Sequence, residues 1–159
     1  MRVRRAGRLP TGIVFRGFRK SDLEPCLRLV RRTLGRKREA VCREDLTLLP
    51  YGDLPFYPKR VLTEKGKVVA LVCLYWHTYY PRNIAGIDWL VVAPSHQRSG
   101  FGTWLVKWSI AEAKASGRDT LFTWAAGRSR PFYAKLGFRR SRIIPREEDP
   151  HAVLMARKI

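Results

Sequence analysis

The chain has 159 residues, and its 32 lysines and arginines against 13 acidic residues give a net charge of +19 at pH 7. This length predicts one domain with its own core, and no apolar run is long enough for a transmembrane helix. The basic segment 1–12 lacks the apolar stretch of a signal peptide. We expect it to be a tail that precedes a single domain at 13–159.

The first half of the chain predicts one strand, two helices and a hairpin. Residues 13–18 read as a strand, and a helix with one apolar face follows from a capping box of Ser21 and Glu24 to Gly35. A short helix is expected at 41–48, before prolines interrupt regular structure. Two further strands, at 59–64 and 67–80, form a hairpin around Lys65-Gly66.

The second half alternates strands and helices. Apolar residues recur at helical spacing between Phe101 and Ala115, and Gly117 is a natural residue beyond the end of that helix. The other predicted elements are strands at 84–92, 120–124, 138–144 and 152–157 and a short helix at 129–135. Together they predict a mixed, twisted, mostly antiparallel sheet of six to seven strands with helices on both faces.

Cysteine spacing and charge bear on the compartment and the partners. The three cysteines Cys26, Cys42 and Cys73 are widely spaced and distant from the histidines, which favours buried free thiols in a reducing cytoplasm and no metal site. So basic a chain attracts polyanions, and a nucleic-acid partner stays an open interpretation beside a merely solvated basic surface.

The turn after strand 84–92 carries the most informative motif, Gln97-Arg98-Ser99-Gly100-Phe101-Gly102. A turn between a strand and a helix directs free backbone N–H groups and the positive end of the helix dipole at one place, which favours an anion. Glycines at 100 and 102 let a phosphate approach the backbone. The pattern is neither the P-loop nor the dinucleotide-binding fingerprint.

This turn resembles the coenzyme A pyrophosphate loop of the GNAT superfamily of N-acetyltransferases. Three other segments resemble family motifs in the same order: Phe15-Arg16 with Asp22, Leu90-Val91-Val92-Ala93-Pro94, and Phe132-Tyr133-Ala134-Lys135-Leu136-Gly137-Phe138. The resemblance spans residues 13–138. It implies the acyl-CoA N-acyltransferase fold, acetyl-CoA as co-substrate, and two parallel strands, at 87–92 and 120–124, that splay apart around the pantetheine arm.

The resemblance also implies the coenzyme contacts. The backbone of Leu90, Val91 and Val92 would pair with the pantetheine arm, and the Val92 N–H would contact the thioester carbonyl. The pyrophosphate would be held by Gln97, Arg98, Ser99, Gly100, Phe101, Gly102 and Thr103. Arg128 and Arg130 follow strand 120–124 and either meet the 3′-phosphate or are simple surface arginines. Ala126 stands where the family often has an asparagine that binds the pantetheine arm, so that contact does not carry over.

Two residues are interpreted as catalytic. By the resemblance, Tyr133 lies within reach of the coenzyme sulfur and protonates the leaving thiolate; the alternative is a core tyrosine. Asp88 is the acidic residue of strand 84–92, and alternation would place it on one face with residues 90 and 92. A carboxylate there is either a general base or the partner of an arginine.

The sequence leaves the acceptor amine open. It could be a protein N-terminus or lysine, a small amine, or an aminoacyl-tRNA, and a homodimer is also left open. The alternative function is a non-catalytic acyl-CoA sensor or nucleic-acid-binding module on the same scaffold. Two aromatic groups could shape the acceptor pocket: Tyr51, Phe56 and Tyr57, and Trp76, Tyr79 and Tyr80.

Overall fold

A computed structural model describes residues 7–47, 57–76, 83–143 and 152–159. Within these ranges the strands are β1 (Ile13–Gly17), β2 (Lys59–Glu64), β3 (Lys67–Tyr75), β4 (Ile84–Val92), β5 (Thr120–Ala126), β6 (Arg139–Arg140) and β7 (Ala152–Lys158). The α-helices are α1 (Leu23–Leu34), α2 (Arg36–Thr47), α3 (Phe101–Ala115) and α4 (Arg130–Lys135). The strands form one sheet in the order β1-β2-β3-β4-β5-β7-β6. The predicted fold class is confirmed.

Helices cover both faces of the sheet because side chains alternate along its central strands. On β3, Val72 and Leu74 pack into the core cluster around α3, which we call the α3 core. Leu71 and Cys73 pack on the other face, in a cluster with α1 and α2 that we call the α1–α2 core. All three cysteines are free and buried, as predicted. None of the described helices is both long and apolar enough to cross a membrane.

The strands β4 and β5 pair in parallel over a short stretch and then separate. Their pairing runs from Ile84 opposite Thr120 to Ile87 opposite Thr123. Thr123 Oγ1 donates to the Ile87 carbonyl at 3.3 Å at this last pair. Beyond it β4 continues to Val92, whereas β5 stays paired with β7. The splaying that the resemblance implied is therefore present, and we call this opening the β4–β5 fork.

An ion pair ties β1 to the start of α1. Arg16 donates to both carboxylate oxygens of Asp22, at 2.6 and 2.8 Å, and Asp22 also accepts from the backbone N–H of Arg19 at 2.7 Å. Asp22 is buried, and its hydrogen bonds from Arg16 hold the pKa of the carboxyl below its usual value. In this fold, Arg16 and Asp22 of the sequence pattern therefore form a salt bridge that joins β1 to the start of α1.

The predicted capping box of Ser21 and Glu24 is wrong. The residue that caps α1 is Asp22, whose carboxylate binds the Arg19 N–H instead of a helix N–H. Glu24 is drawn away because it pairs with Arg43 of α2, with the nearest nitrogen and oxygen atoms 2.8 Å apart. An opposite charge on the neighbouring helix therefore prevails over local capping.

The second helix is longer than the sequence predicted. It begins at Arg36, directly after Gly35, which turns the chain with a φ of 92°. Its first turns are almost entirely charged, so apolar periodicity could not reveal them. The charged residues of these turns are good helix formers. Arg31 of α1 also donates two hydrogen bonds to the Glu39 carboxylate, which anchors the start of α2 to α1.

The ends of the domain differ in detail from expectation. The strand predicted at 67–80 ends at Tyr75, and residues 77–80 lie outside the described ranges. The strand expected at 138–144 is confined to the two residues of β6. Part of the predicted N-terminal tail contacts the domain, because Trp104 Nε1 donates to the Gly7 carbonyl at 2.9 Å and Leu9 packs against the α3 core.

Candidate active site

A cleft of about 630 Å³ opens at the β4–β5 fork. One wall is a face of α2, formed by Arg38, Val41 and Asp45, which follow the i, i+3, i+7 spacing of one helical side. The middle is built from β4 and β5, and the far wall includes Tyr133 of α4. Since α2 and α4 lie on opposite faces of the sheet, the cleft connects the two faces through the fork.

Asp88 occupies a bulge in β4. Cys73 pairs with Trp89, but Leu74, the next residue of β3, pairs with Ile87, which leaves Asp88 as an extra residue. Alternation is interrupted there, so the predicted common face of residues 88, 90 and 92 is wrong. Val92 packs in the α3 core, whereas the Asp88 carboxylate meets groups on the α1–α2 side.

The Asp88 carboxylate is held by a phenol. The hydroxyl of Tyr57 donates to Asp88 Oδ2, and the Tyr57 ring packs against the α1–α2 core. Solvent reaches Asp88 through the cleft, yet the packed surroundings of the carboxylate raise its pKa to about 6, against the lowering effect of Tyr57 and with a further increase from Asp45. In the part of the chain that the structure describes, no arginine pairs with Asp88.

A second carboxylate in the cleft, Asp45, was missed by the sequence analysis. Asp45 Oδ2 accepts from Trp89 Nε1 at 2.9 Å, and burial raises the pKa of Asp45. The helical spacing of Asp45 from Arg38 and Val41 could have placed it on the same helical face. That spacing is informative only if α2 starts at Arg36, whereas the sequence predicted a start at residue 41.

Tyr133 is packed in the core and is also part of the cleft wall. Its ring is buried in the α3 core beside Phe138, with ring centroids 5.4 Å apart, and the residue also lines the cleft. Its hydroxyl lies beside Thr123, at the base of the fork. Burial raises the pKa of Tyr133 to about 12, so the phenol keeps its proton at neutral pH.

One edge of β4 faces the fork with backbone groups. Ala93 donates to the Val69 carbonyl of β3 at 2.8 Å. Because alternate residues of a strand direct their N–H groups to opposite edges, the N–H groups of Val92 and Leu90 point away from β3 and toward β5. They lie beyond the last β4–β5 pair, at Ile87, so an extended ligand could pair with this edge. Val91 pairs with β3 and packs in the α1–α2 core.

The turn at 97–102 adopts a left-handed backbone at two positions. Gly100 caps α3 with a φ of 88°, and a Cβ built there would meet nothing within 4 Å. Arg98 has a φ of 64°, which costs a non-glycine residue about 1–2 kcal/mol. The Gln97 side chain donates to the Val92 carbonyl at 3.1 Å and thus ties the turn to the end of β4.

Gly102 is explained by packing instead of by ligand access. A Cβ there would lie 3.2 Å from the Phe132 ring, so the glycine lets α3 approach α4 closely. Ser99 donates its hydroxyl to the His96 carbonyl, and Phe101 is buried in the α3 core. Thr103, the last residue predicted to hold the pyrophosphate, is half-buried in the first turn of α3.

The remaining predicted residues lie around the rim or in the core. Arg130 and Arg128 are exposed, and Ala126 ends β5 on the cleft wall. Trp76 is buried in the α3 core. Of the two aromatic groups, the residues Tyr51, Phe56, Tyr79 and Tyr80 lie outside the described ranges.

Comparison with known proteins identifies the family. Residues 54–140, more than half of the chain, match the family described as acetyltransferase (GNAT) domain. The chain belongs to the GNAT acetyltransferase family. In a GNAT protein, the fork, the turn at 97–102 and the free edge of β4 together fit acetyl-CoA as co-substrate. No curated protein matches the chain in sequence.

Solved structures show the same GNAT fold. PaiA N-acetyltransferase from Thermoplasma acidophilum, in complex with coenzyme A, has a TM-score of 0.72 at 16% identity, covering 92% of this chain and 99% of its own. The ribosomal-protein-S18-alanine N-acetyltransferase from Escherichia coli has a TM-score of 0.70 at 20% identity, with 92% and 94% coverage. A GNAT family acetyltransferase from Elizabethkingia anophelis with acetyl-CoA bound has a TM-score of 0.67 at 17% identity, with 94% and 100% coverage. This GNAT chain is an N-acetyltransferase.

Proposed function

We propose that this N-acetyltransferase transfers the acetyl group at the β4–β5 fork, with Asp88 as general base and Tyr133 as general acid. The observation that carries the proposal is one continuous cleft lined by both residues and by the free edge of β4. The two residues belong to opposite faces of the sheet. An amine and a thioester could therefore approach the fork from opposite sides.

The coenzyme side of the proposal uses backbone groups. Acetyl-CoA supplies the acetyl thioester when it is bound. The turn at 97–103 offers N–H groups at the start of α3, where the helix dipole favours the pyrophosphate. Leu90 would pair with the pantetheine arm, and the Val92 N–H would stabilise the thioester oxygen as it gains negative charge. This backbone pairing also suits a chain that has Ala126 in place of an asparagine.

The proton transfers follow from the two side chains. An amine must lose its proton to attack, and Asp88, with a pKa of about 6, is mainly ionised at pH 7 and can accept that proton. The buried Tyr133 phenol stays protonated and can donate to the departing sulfur. Each step moves one proton: from the amine to Asp88, and from Tyr133 to the coenzyme thiolate.

For the acceptor we propose the α-amine of a polypeptide. Leu34 and Val41, on the α1–α2 wall of the cleft, are 48% and 45% exposed and give this wall two accessible apolar side chains. They could pack against the first side chains of a polypeptide whose amine reaches Asp88. The E. coli neighbour named above acts on an alanine of a ribosomal protein, which supports this acceptor class.

A nucleic-acid-linked amine is the second candidate, because cations gather beside the cleft. Five exposed basic residues surround the turn between α1 and α2, and we call them the α1–α2 corner: Arg28, Arg32, Arg36, Lys37 and Arg38. The neighbouring Glu24 and Glu39 are already paired with other arginines. The corner could attract the phosphates of an aminoacyl-tRNA.

An acceptor panel tests the proposal. The purified protein would be incubated with acetyl-CoA and peptides, small amines or aminoacyl-tRNA, and the acetylated product measured by mass spectrometry. We expect an acetylated α-amine on peptides, and a loss of product for Asp88→Asn. Coenzyme binding without transfer to any acceptor would favour the acyl-CoA sensor. The buried free thiols support a reducing, cytoplasmic location, which fractionation of cells would test.

A further inference from the structure

Tyr57 lies two residues before β2, and its hydroxyl reaches Asp88 of β4. Its hydroxyl donates to Asp88 Oδ2, and its ring packs with the α1–α2 core. The two residues are 31 positions apart in sequence, so the contact depends on the tertiary fold. In the sequence, Tyr57 stands with Tyr51 and Phe56 as one of the aromatic residues that could shape the acceptor pocket.

The Tyr57 ring is held from a second side by Lys59. Lys59 Nζ lies 5.7 Å from the centroid of Tyr57 and 5.1 Å from that of Phe18, and it donates to the Leu46 carbonyl at 3.1 Å. An ammonium group over two ring faces is attracted by both π-systems. The phenol is therefore fixed by packing and by a cation that is itself anchored to the end of α2.

We propose that Tyr57 is a positioning residue for Asp88, holding one carboxylate oxygen by its hydroxyl and leaving the other oxygen for the acceptor amine. This inference rests on the proposed role of Asp88 as general base. The bulge at Asp88 makes such a support necessary, because the residue has no cross-strand partner to fix its side chain. Tyr57 touches neither thioester nor amine in this arrangement.

The hydrogen bond from Tyr57 also lowers the pKa of Asp88. Burial and the Asp88 carboxylate raise the pKa of Tyr57, so it remains a donor at any physiological pH. Donation to the carboxylate stabilises its ionised form and opposes burial and the Asp45 charge. The other titratable groups around this pair come from several elements: Arg38, Cys42 and Asp45 of α2, Lys59 of β2, Cys73 of β3 and Tyr133 of α4.

The test is the pH dependence of kcat/KM for acetyl transfer. Wild-type activity should rise as Asp88 ionises near pH 6. Tyr57→Phe removes the donor and keeps the ring, so this rise should move to higher pH by about one unit. Asp45→Asn removes a neighbouring negative charge and should move it to lower pH. The ¹³C shift of the Asp88 carboxyl should titrate with the same displacements, independently of turnover.

The outcomes separate the inference from the proposed function. In an Asp88→Asn background, Tyr57→Phe should cause no further change in the pH profile. A uniform loss of activity in Tyr57→Phe with an unmoved profile would overturn the positioning role and leave Asp88 as base. A wild-type profile that Asp88→Asn does not alter would refute the base itself, and with it the inference. Thermal unfolding of each variant verifies that it is folded.

Discussion

Gly100→Val is the substitution that most sharply probes the phosphate-binding turn. Gly100 has a φ of 88° at the start of α3, with open space where a Cβ would be. The valine strains the left-handed backbone by about 1–2 kcal/mol and places two methyl groups against the site expected for the pyrophosphate. Losing two charge-assisted hydrogen bonds from backbone N–H groups, at about 1.5–3 kcal/mol each, should weaken coenzyme binding roughly 100- to 10,000-fold.

The matched control is Gly117→Val, at the other end of the same helix. Gly117 has a φ of 75° and equally open surroundings, so the backbone strain is similar while the turn at 97–103 is untouched. Calorimetric titration with coenzyme A should show near wild-type affinity for Gly117→Val and severe loss for Gly100→Val. Equal affinities in the two variants, with both folded, would refute the assignment of the turn to the pyrophosphate.

Three further predictions concern the chemistry, the basic surface and the β1–α1 bridge. Tyr133→Phe should lower the rate of acetyl transfer about 10- to 1,000-fold with little change in coenzyme affinity, measured by steady-state kinetics; unchanged turnover would return Tyr133 to a purely packing role. If the α1–α2 corner recruits RNA, binding should weaken steeply with salt and the slope should flatten in Arg36→Ala, whereas a flat response in the wild type would show a merely solvated surface. Since the pKa of Asp22 is lowered on folding, its bridge should stabilise the protein above about pH 4 and lose that effect at lower pH. Asp22→Asn should therefore flatten the acid side of the melting-temperature profile, and an unchanged profile would contradict this.

The sequence predicted the sheet and the turn at 97–102 because both depend on local patterns. Strand 84–92 and the helix after it follow period-two and period-3.6 spacing. The course of β4 at Asp88 could not be predicted, since a bulge arises from the pairing with β3 and leaves no local signature. The contacts of Asp88 with Tyr57 and of Trp89 with Asp45 likewise join residues far apart in sequence.

Two wrong predictions share a physical cause. The capping box of Ser21 and Glu24, and a start of α2 at residue 41 in place of Arg36, were both inferred from neighbouring residues alone. In the fold, Glu24 pairs with Arg43 and Glu39 with Arg31, so charges between two helices decide both features. Gly102 shows the same limit, because its role is set by the Phe132 ring, 30 residues further along the chain.

The most direct test of the central claim is a crystal structure of the protein with acetyl-CoA bound. We predict that the pyrophosphate lies on the N–H groups of 98–103 and that the pantetheine arm follows β4 through the fork. The thioester oxygen should lie within hydrogen-bond distance of the Val92 N–H, and the sulfur beside the Tyr133 hydroxyl. A coenzyme bound elsewhere, with the β4–β5 fork unoccupied, would contradict the account.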